Sequence, residues 1–208
     1  MSISFTYPNG DKYTGEVNNK KKEGKGELIS VNGDIYVGEF KDDLKDGYGT
    51  MKYKNGDKYE GYYKKGNREG HGTYCYSNGT KYEGEYKGGV KEGKGVLIYT
   101  NGNKYDGNFK NDVREGKGIF YYKNGDVYEG DFVKDKMTGK GVYKYPDGEK
   151  YEGDFKNGVM DGFGKYYYSD GEIYEGEFKN GVREGKGKII SPDGTVEELM
   201  FKDNNPVE

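Results

Sequence analysis

Of 208 residues, 34% are charged and only 31% hydrophobic, a balance that by itself excludes a large conventional core and would suggest disorder. Aromatic residues nevertheless reach 16%, all of them the 24 Tyr and 9 Phe, and they stand at fixed positions for which a disordered chain has no physical need. With 34 basic and 37 acidic residues interspersed, the net charge of -3 excludes the basic footprint of a nucleic-acid binder.

In chain order, a half repeat comes first, over residues 1–12. Eight copies of a 23-residue unit follow without insertion or deletion, opened by Tyr13, Tyr36, Tyr59, Tyr82, Tyr105, Tyr128, Tyr151 and Tyr174. Each opens as Tyr-x-Gly-x-aromatic (Val17 once) and continues through Gly-x-Gly, from Gly24-Lys-Gly26 to Gly185-Lys-Gly187. Each ends in Asn-Gly or Asp-Gly, as at Asn55-Gly56 and Asp147-Gly148. A fixed period in this range signals a repeat array. The repeats are read as 13–190 and the remainder, 191–208, as a degenerate cap. There Glu197 replaces the repeat Tyr and Leu199 the Gly, while acidic residues and Pro206 discourage edge pairing.

Segments such as Lys150-Tyr-Glu-Gly-Asp-Phe155 alternate with the period of a half-exposed strand, and Gly118-Ile-Phe-Tyr-Tyr-Lys123 is rich in β-formers. Asn-Gly between such runs is a strong hairpin signal. Each repeat therefore reads as two antiparallel strands and two turns. A two-residue loop at Asn55-Gly56 would set Tyr59 opposite Lys52 and send Tyr53 to the other face. A three-residue loop, Asn55-Gly56-Asp57, sets Tyr53 opposite Tyr59, Met51 opposite Gly61 and Gly49 opposite Tyr63. Burial selects this second register, because a one-residue slip flips every side chain. Each Gly is then expected to face a ring and make room for it, and Lys, Glu and Asp are expected on the opposite face.

The aromatic face supplies the candidate site: Tyr53, Tyr59, Tyr76, Tyr82, Tyr99, Tyr105, Phe120, Tyr122, Tyr128, Tyr143, Tyr145 and Tyr151. One sheet layer cannot bury such a face without curling or meeting a partner. A concave apolar surface suits a helix or an extended segment of another protein, and Tyr gives rigid contact area with a polar tip.

Catalytic and ligand-binding signals are weak. Acidic residues such as Glu83, Asp106 and Glu129 recur as surface positions, and nothing singles out a pair with separated environments. His71 has no Cys or His company for a zinc site or a triad, and Cys75 allows no intrachain disulfide. Gly88-x4-Gly93-Lys94 has Gly95 where a phosphate loop needs Ser or Thr. Lys20-Lys21-Lys22 reads as a solvated turn. No enzyme, cofactor or metal is expected. The first residues begin no apolar leader and no long apolar run exists, so an intracellular, soluble protein is expected.

The stretch Tyr174-Glu-Gly-Glu-Phe-Lys-Asn-Gly-Val-Arg-Glu-Gly-Lys-Gly187 resembles the MORN (membrane occupation and recognition nexus) repeat. The resemblance runs from Tyr7 to Phe201. It departs in having no Trp, a frequent family choice where this chain has Phe, Tyr or Val17. It implies an all-β fold: an elongated, twisted antiparallel β-meander of eight hairpin repeats with an aromatic groove. It also implies a scaffold or adaptor holding a partner protein in a ciliary (radial spoke-like) or cytoskeletal assembly. The alternatives are a phospholipid-binding tether at the cytoplasmic face of a membrane, and a homodimer.

Overall fold

The computed structural model describes residues 2–207. Among them are nineteen β-strands and no helix. The chain divides into two compact units, Met1–Thr100 with Phe109–Asp112, and Asn101–Asn108 with Val113–Glu208. Within each unit consecutive strands pair antiparallel, so the all-β meander expected from the repeats is present.

The second and third repeats show how the sequence builds it. Strands β5 (Leu44–Lys52), β6 (Lys58–Lys64) and β7 (Asn67–Cys75) are neighbours, joined by two unlike turns. At Asn55-Gly56, the Gly56 amide bonds the Tyr53 carbonyl at 2.9 Å and the Tyr53 amide bonds the Asp57 carbonyl at 2.9 Å. Gly56 sits at φ +91°. This is a type I turn closed by a left-handed residue, a common three-residue hairpin loop. Asn is favoured before the Gly because its Oδ1 accepts the Asp57 amide at 3.0 Å, clamping the turn. The second turn, Lys65-Gly66, has φ +47° and +88°, the twist-matched two-residue hairpin. The Asn-Gly or Asp-Gly pair that ends each repeat thus marks the looser turn, and the tighter one carries varied residues, Asn-Gly among them at Asn157-Gly158 and Asn180-Gly181.

The register differs from expectation by two residues. The loop is Lys54-Asn55-Gly56, so Met51 pairs with Tyr59, Gly49 with Gly61 and Gly47 with Tyr63. Tyr53 faces Asp57 across the loop mouth and does not pair with Tyr59. A shift of two preserves side-chain parity, so Tyr53 and Tyr59 still share a face, as do Tyr122 and Tyr128. Gly26–Gly38, Gly38–Gly49, Gly49–Gly61 and Gly61–Gly72 therefore pair as a ladder in the first unit, while the first glycine of Gly-x-Gly faces a ring, as Gly24 faces Phe40, Gly47 Tyr63 and Gly70 Tyr86.

The rings lie on this ladder. A Cβ built on Gly61 would stand 2.6 Å from both the Tyr59 hydroxyl and the Gly72 Cα. Tyr59 stretches over the bare backbone of both glycines and is fully buried. Most of the aromatics that close the Tyr-x-Gly-x-aromatic motif, such as Phe40, Tyr63 and Tyr86, meet two repeat tyrosines edge-on. In the first unit Tyr13, Phe40, Tyr36, Tyr63, Tyr59, Tyr86, Tyr82 and Phe109 form one chain of such pairs, at centroid separations of 5.0–5.4 Å. In the second unit an equivalent chain runs from Tyr105 through Phe132 and Tyr128 to Phe201, at 4.9–5.3 Å. Edge-to-face pairs contribute about 0.5–1.5 kcal/mol each beyond area burial. A zipper of rings on glycine thus replaces a second layer. Beyond the eighth repeat, Leu199 pairs with Gly187 and Glu197 with Ile189, while Phe201 packs on Tyr174.

Candidate functional site

The twelve candidate residues separate by depth. Tyr59, Tyr82, Tyr105, Tyr128 and Tyr151 are 0% exposed, and Phe120 is 8% exposed. These six belong to the core and have almost no surface to offer a partner. The burial of the five tyrosines comes from the glycine ladder beneath and the flanking aromatic rings, which strand alternation does not show. The Tyr59 hydroxyl donates to the Tyr62 carbonyl at 3.1 Å and that of Tyr151 to the Asp154 carbonyl at 3.0 Å, which satisfies the buried polar tips. Burial pushes the Tyr59 phenol up to about 12.

Tyr53, Tyr76, Tyr99, Tyr122, Tyr143 and Tyr145 are half-buried and keep an accessible edge. With Tyr74 in the first unit and Tyr166 and Tyr168 in the second, they belong to a second aromatic set beside the zipper within each unit. In the first unit Tyr53 stacks on Tyr74 at 5.9 Å, and Tyr74 meets Tyr76 at 4.5 Å. In the second, Phe120, Tyr122, Tyr143, Tyr145, Tyr166 and Tyr168 follow one another at 4.6–5.9 Å. Hairpin carboxylates fix these sets: Tyr74 donates to Asp57 at 2.8 Å, Tyr143 to Asp126 at 2.7 Å and Tyr166 to Glu149 at 2.6 Å. Burial, reinforced by these carboxylates, holds the Tyr74, Tyr143 and Tyr166 phenols well above their ordinary value. Tyr74 is legible in the sequence, since it stands three periods before Tyr143.

A further set of side chains on this face is not what alternation suggests. Lys22, Lys45, Arg68, Lys91, Arg114 and Arg183 recur at the repeat period, with Met137 and Met160 filling the same position. Each follows a tight turn. Between Gly61 and Tyr63 the register shifts, so Tyr62 alone opposes Glu69, Gly70 and His71, and Arg68 lands opposite Tyr63. The cations therefore lie over rings. The Arg68 guanidinium is 4.9 Å from the Tyr86 ring centre, 5.3 Å from Tyr74 and 5.6 Å from Tyr59. The Lys45 ammonium is 5.2 Å from Tyr36 and 5.6 Å from Tyr63. Interactions of this kind contribute about 0.5–2 kcal/mol. Lys22, expected in a solvated turn, reaches the rings of Tyr7, Tyr13 and Phe40. The opposite face is charged but also exposes Tyr48, Tyr62 and Phe163.

A recurring set of acids fastens the turns, while Glu83, Asp106 and Glu129 are exposed strand positions. Asp57 Oδ1 accepts the Ser77 amide at 2.7 Å and Glu69 accepts the Gly88 amide at 2.9 Å, each linking a turn to its counterpart in the next repeat. The Gly88-Gly89 segment is thus a pinned hairpin turn. His71 is exposed, opposite Glu85 in the strand pair, and Cys75 is half-buried. Among the described residues no group of three or more His, Cys, Asp or Glu is placed to hold a metal ion, and no helix is long and apolar enough to cross a membrane.

Eight consecutive segments match the MORN repeat family: residues 13–35, 36–58, 59–81, 82–104, 105–127, 128–150, 151–173 and 174–196. The chain is a MORN-repeat protein. The glycine ladder and ring zipper described above are this chain's form of the MORN hairpin. No curated protein matches it. Among solved structures, it is similar to the wild-type TCP10 domain of Danio rerio CPAP, with TM-score 0.56 at 12% identity over 99% of this chain and 98% of that one. It also resembles the SAS-4 (dCPAP) TCP domain of Drosophila melanogaster in complex with a proline-rich motif of Ana2. That likeness has TM-score 0.43 at 16% identity, over 97% of this chain and 90% of that one. The identities are so low that the first comparison bears on the fold alone and the second adds no argument.

Proposed function

We propose that this MORN-repeat protein is a non-enzymatic scaffold that binds a helix or extended segment of a partner protein along its half-buried tyrosines, in an intracellular cytoskeletal or ciliary assembly. One observation carries the reading. Within each unit, contacting tyrosines such as Tyr53, Tyr74 and Tyr76, or Tyr122, Tyr143 and Tyr145, keep accessible edges on a face that no second layer of described residues covers. Exposed aromatic stripes mark interaction surfaces, and rigid Tyr rings are frequent binding hot spots. The fully buried Tyr59, Tyr82, Tyr105, Tyr128 and Tyr151, with Phe120, support the stripe from below.

The test pairs partner capture with cross-linking mass spectrometry that maps where the partner touches. The double variant Tyr122→Ala/Tyr145→Ala should keep its strand circular dichroism and lose binding by at least about 2 kcal/mol per true hot spot. Binding should survive about 0.5 M salt, because apolar contacts are not screened. Binding that survives the tyrosine changes and vanishes with salt, together with co-sedimentation on anionic vesicles, would instead establish a phospholipid tether.

A further inference from the structure

The cations on the tyrosine face are not equivalent. Lys22 has Asp43 at 3.7 Å and Arg114 has Asp135 at 3.0 Å, each carboxylate coming from the adjoining turn. At the corresponding turns beside Lys45 and Arg68 stand Gly66 and Gly89, which carry no charge. Where the adjoining turn is Asn157-Gly158 or Asn180-Gly181, the cation itself is replaced by Met137 or Met160. The architecture thus tolerates an apolar residue at this position, yet Lys45 and Arg68 retain charge after losing the counter-charge.

Their surroundings sharpen the point. The Lys45 ammonium meets the Tyr36 and Tyr63 rings and is held below its ordinary pKa by burial, opposed only by the charge of Asp34. The Asp34 Oδ1 is already engaged by the Lys54 amide at 2.9 Å. Arg68 spends one Nη on the Gly89 carbonyl at 2.5 Å, leaving other donors of its fork to spare. Two half-buried cations therefore stand one repeat apart, Lys45 over Tyr36 and Tyr63 and Arg68 over Tyr74, with Tyr53 and Tyr76 each against Tyr74.

Their spacing selects the shape of a complementary anion. One repeat is two strands, or about 9.6 Å across the sheet. Polyproline II advances about 9.3 Å in three residues and brings each third side chain back to the same side. Two α-helical turns advance about 10.8 Å and drift out of step with successive repeats. A β-strand covers a similar distance in three residues but turns the third side chain away. Resting on the proposed scaffold reading, and resolving the form of its partner, we infer that the tyrosine face of repeats two to four takes an acidic polyproline II segment. Carboxylates three residues apart in that segment meet Lys45 and Arg68, and its intervening prolines lie against Tyr53, Tyr74 and Tyr76.

The experiment is a fluorescence-polarisation titration of the whole chain with a labelled Glu-Pro-Pro repeat peptide of about fifteen residues. Controls are a Gln-Pro-Pro repeat, a proline-rich peptide with Glu at every fourth residue, and an acidic amphipathic helix. The protein variant is Lys45→Met/Arg68→Met, whose side chains already occur at this position as Met137 and Met160. Saturable binding of Glu-Pro-Pro that falls about tenfold or more, both in the variant and for the two proline-rich controls, is the expected result. Equal binding by the variant, equal binding of the every-fourth peptide, or no Glu-Pro-Pro binding overturns it. Helix binding that depends on Tyr53 and Tyr76 without Glu-Pro-Pro binding would overturn this inference and leave the scaffold reading standing. That reading fails separately, when partner capture is indifferent to the tyrosine changes.

Discussion

A tyrosine stretched over two glycines makes the hydrogen atoms of those glycines structural. At Gly107 a Cβ would fall on the Tyr105 hydroxyl and 2.5 Å from the Gly118 Cα. Gly107→Val must displace the ring or open the strand pair. Overpacking costs about 1–3 kcal/mol, and here the obstruction includes backbone, so the loss should lie at the upper end. Glu129→Gln, on the exposed face, should stay within about 0.5 kcal/mol. Thermal melts of the two variants check this, and equal midpoints would contradict the ring-on-glycine packing. The phenol oxygens invite a second comparison. The Tyr63 hydroxyl is buried with no partner among the described residues, at a position where other repeats carry Phe40, Phe109 or Phe132. Tyr63→Phe should therefore leave stability unchanged or raise it, whereas Tyr59→Phe removes the bond to the Tyr62 carbonyl and should cost about 1 kcal/mol. Denaturant midpoints in the reverse order would refute that assignment.

At the scale of the hairpin, carboxylates do the fastening, and this gives stability an acid limb. The Ser77 amide and, after it, the Tyr74 hydroxyl hold the Asp57 carboxyl below its usual range. A depressed folded-state pKa contributes stability above the unfolded value of about 3.9, and that contribution is lost as pH falls through the folded value. The melting temperature should accordingly decline below about pH 4, and less steeply in Asp57→Ala than in the parent. Parallel acid limbs would remove Asp57 from the account. Strand pairing within the hairpin is only partly legible in the sequence. Side-chain parity and odd loop length follow from the aromatics, but the pairing lies two residues away because Asn55 clamps Asp57 and so centres the turn on Lys54-Asn55. The tight Lys65-Gly66 turn has no comparable signature, because its first residue varies between repeats and only its positive φ is constant in kind.

On the scale of the whole chain, period and strand content are plain in the sequence, since eight unbroken copies fix both. What the sequence does not separate is depth. Tyr53 and Tyr59 share a face and a residue type, yet one is half-exposed and the other sealed, because only Tyr59 lies along the glycine pair and between two further aromatics. The cations are hidden for a similar reason. Residue type alone puts Arg68 on the charged face, whereas the shifted pairing after Gly61 aims it at the rings.

The sealed tyrosines also make the chain its own optical gauge. There is no Trp, so near-ultraviolet absorption belongs chiefly to 24 tyrosines. Burial lifts the Tyr59 and Tyr174 phenols to about 12 and raises Tyr36, Tyr82, Tyr128 and Tyr151 as well. A phenol whose folded pKa is raised favours the fold below its unfolded value of about 10, and that contribution disappears as pH rises through the folded value. Alkaline titration should therefore show tyrosinate absorbance growing in two stages. Accessible phenols ionise first, and the repeat tyrosines follow together with the loss of strand circular dichroism. A single stage near pH 10, with the fold intact beyond it, would mean that the rings are not sealed. The second stage would also collect Tyr63, Tyr74, Tyr86, Tyr143 and Tyr166, whose phenols are raised as well, so its onset would mark the pH at which the hairpins open.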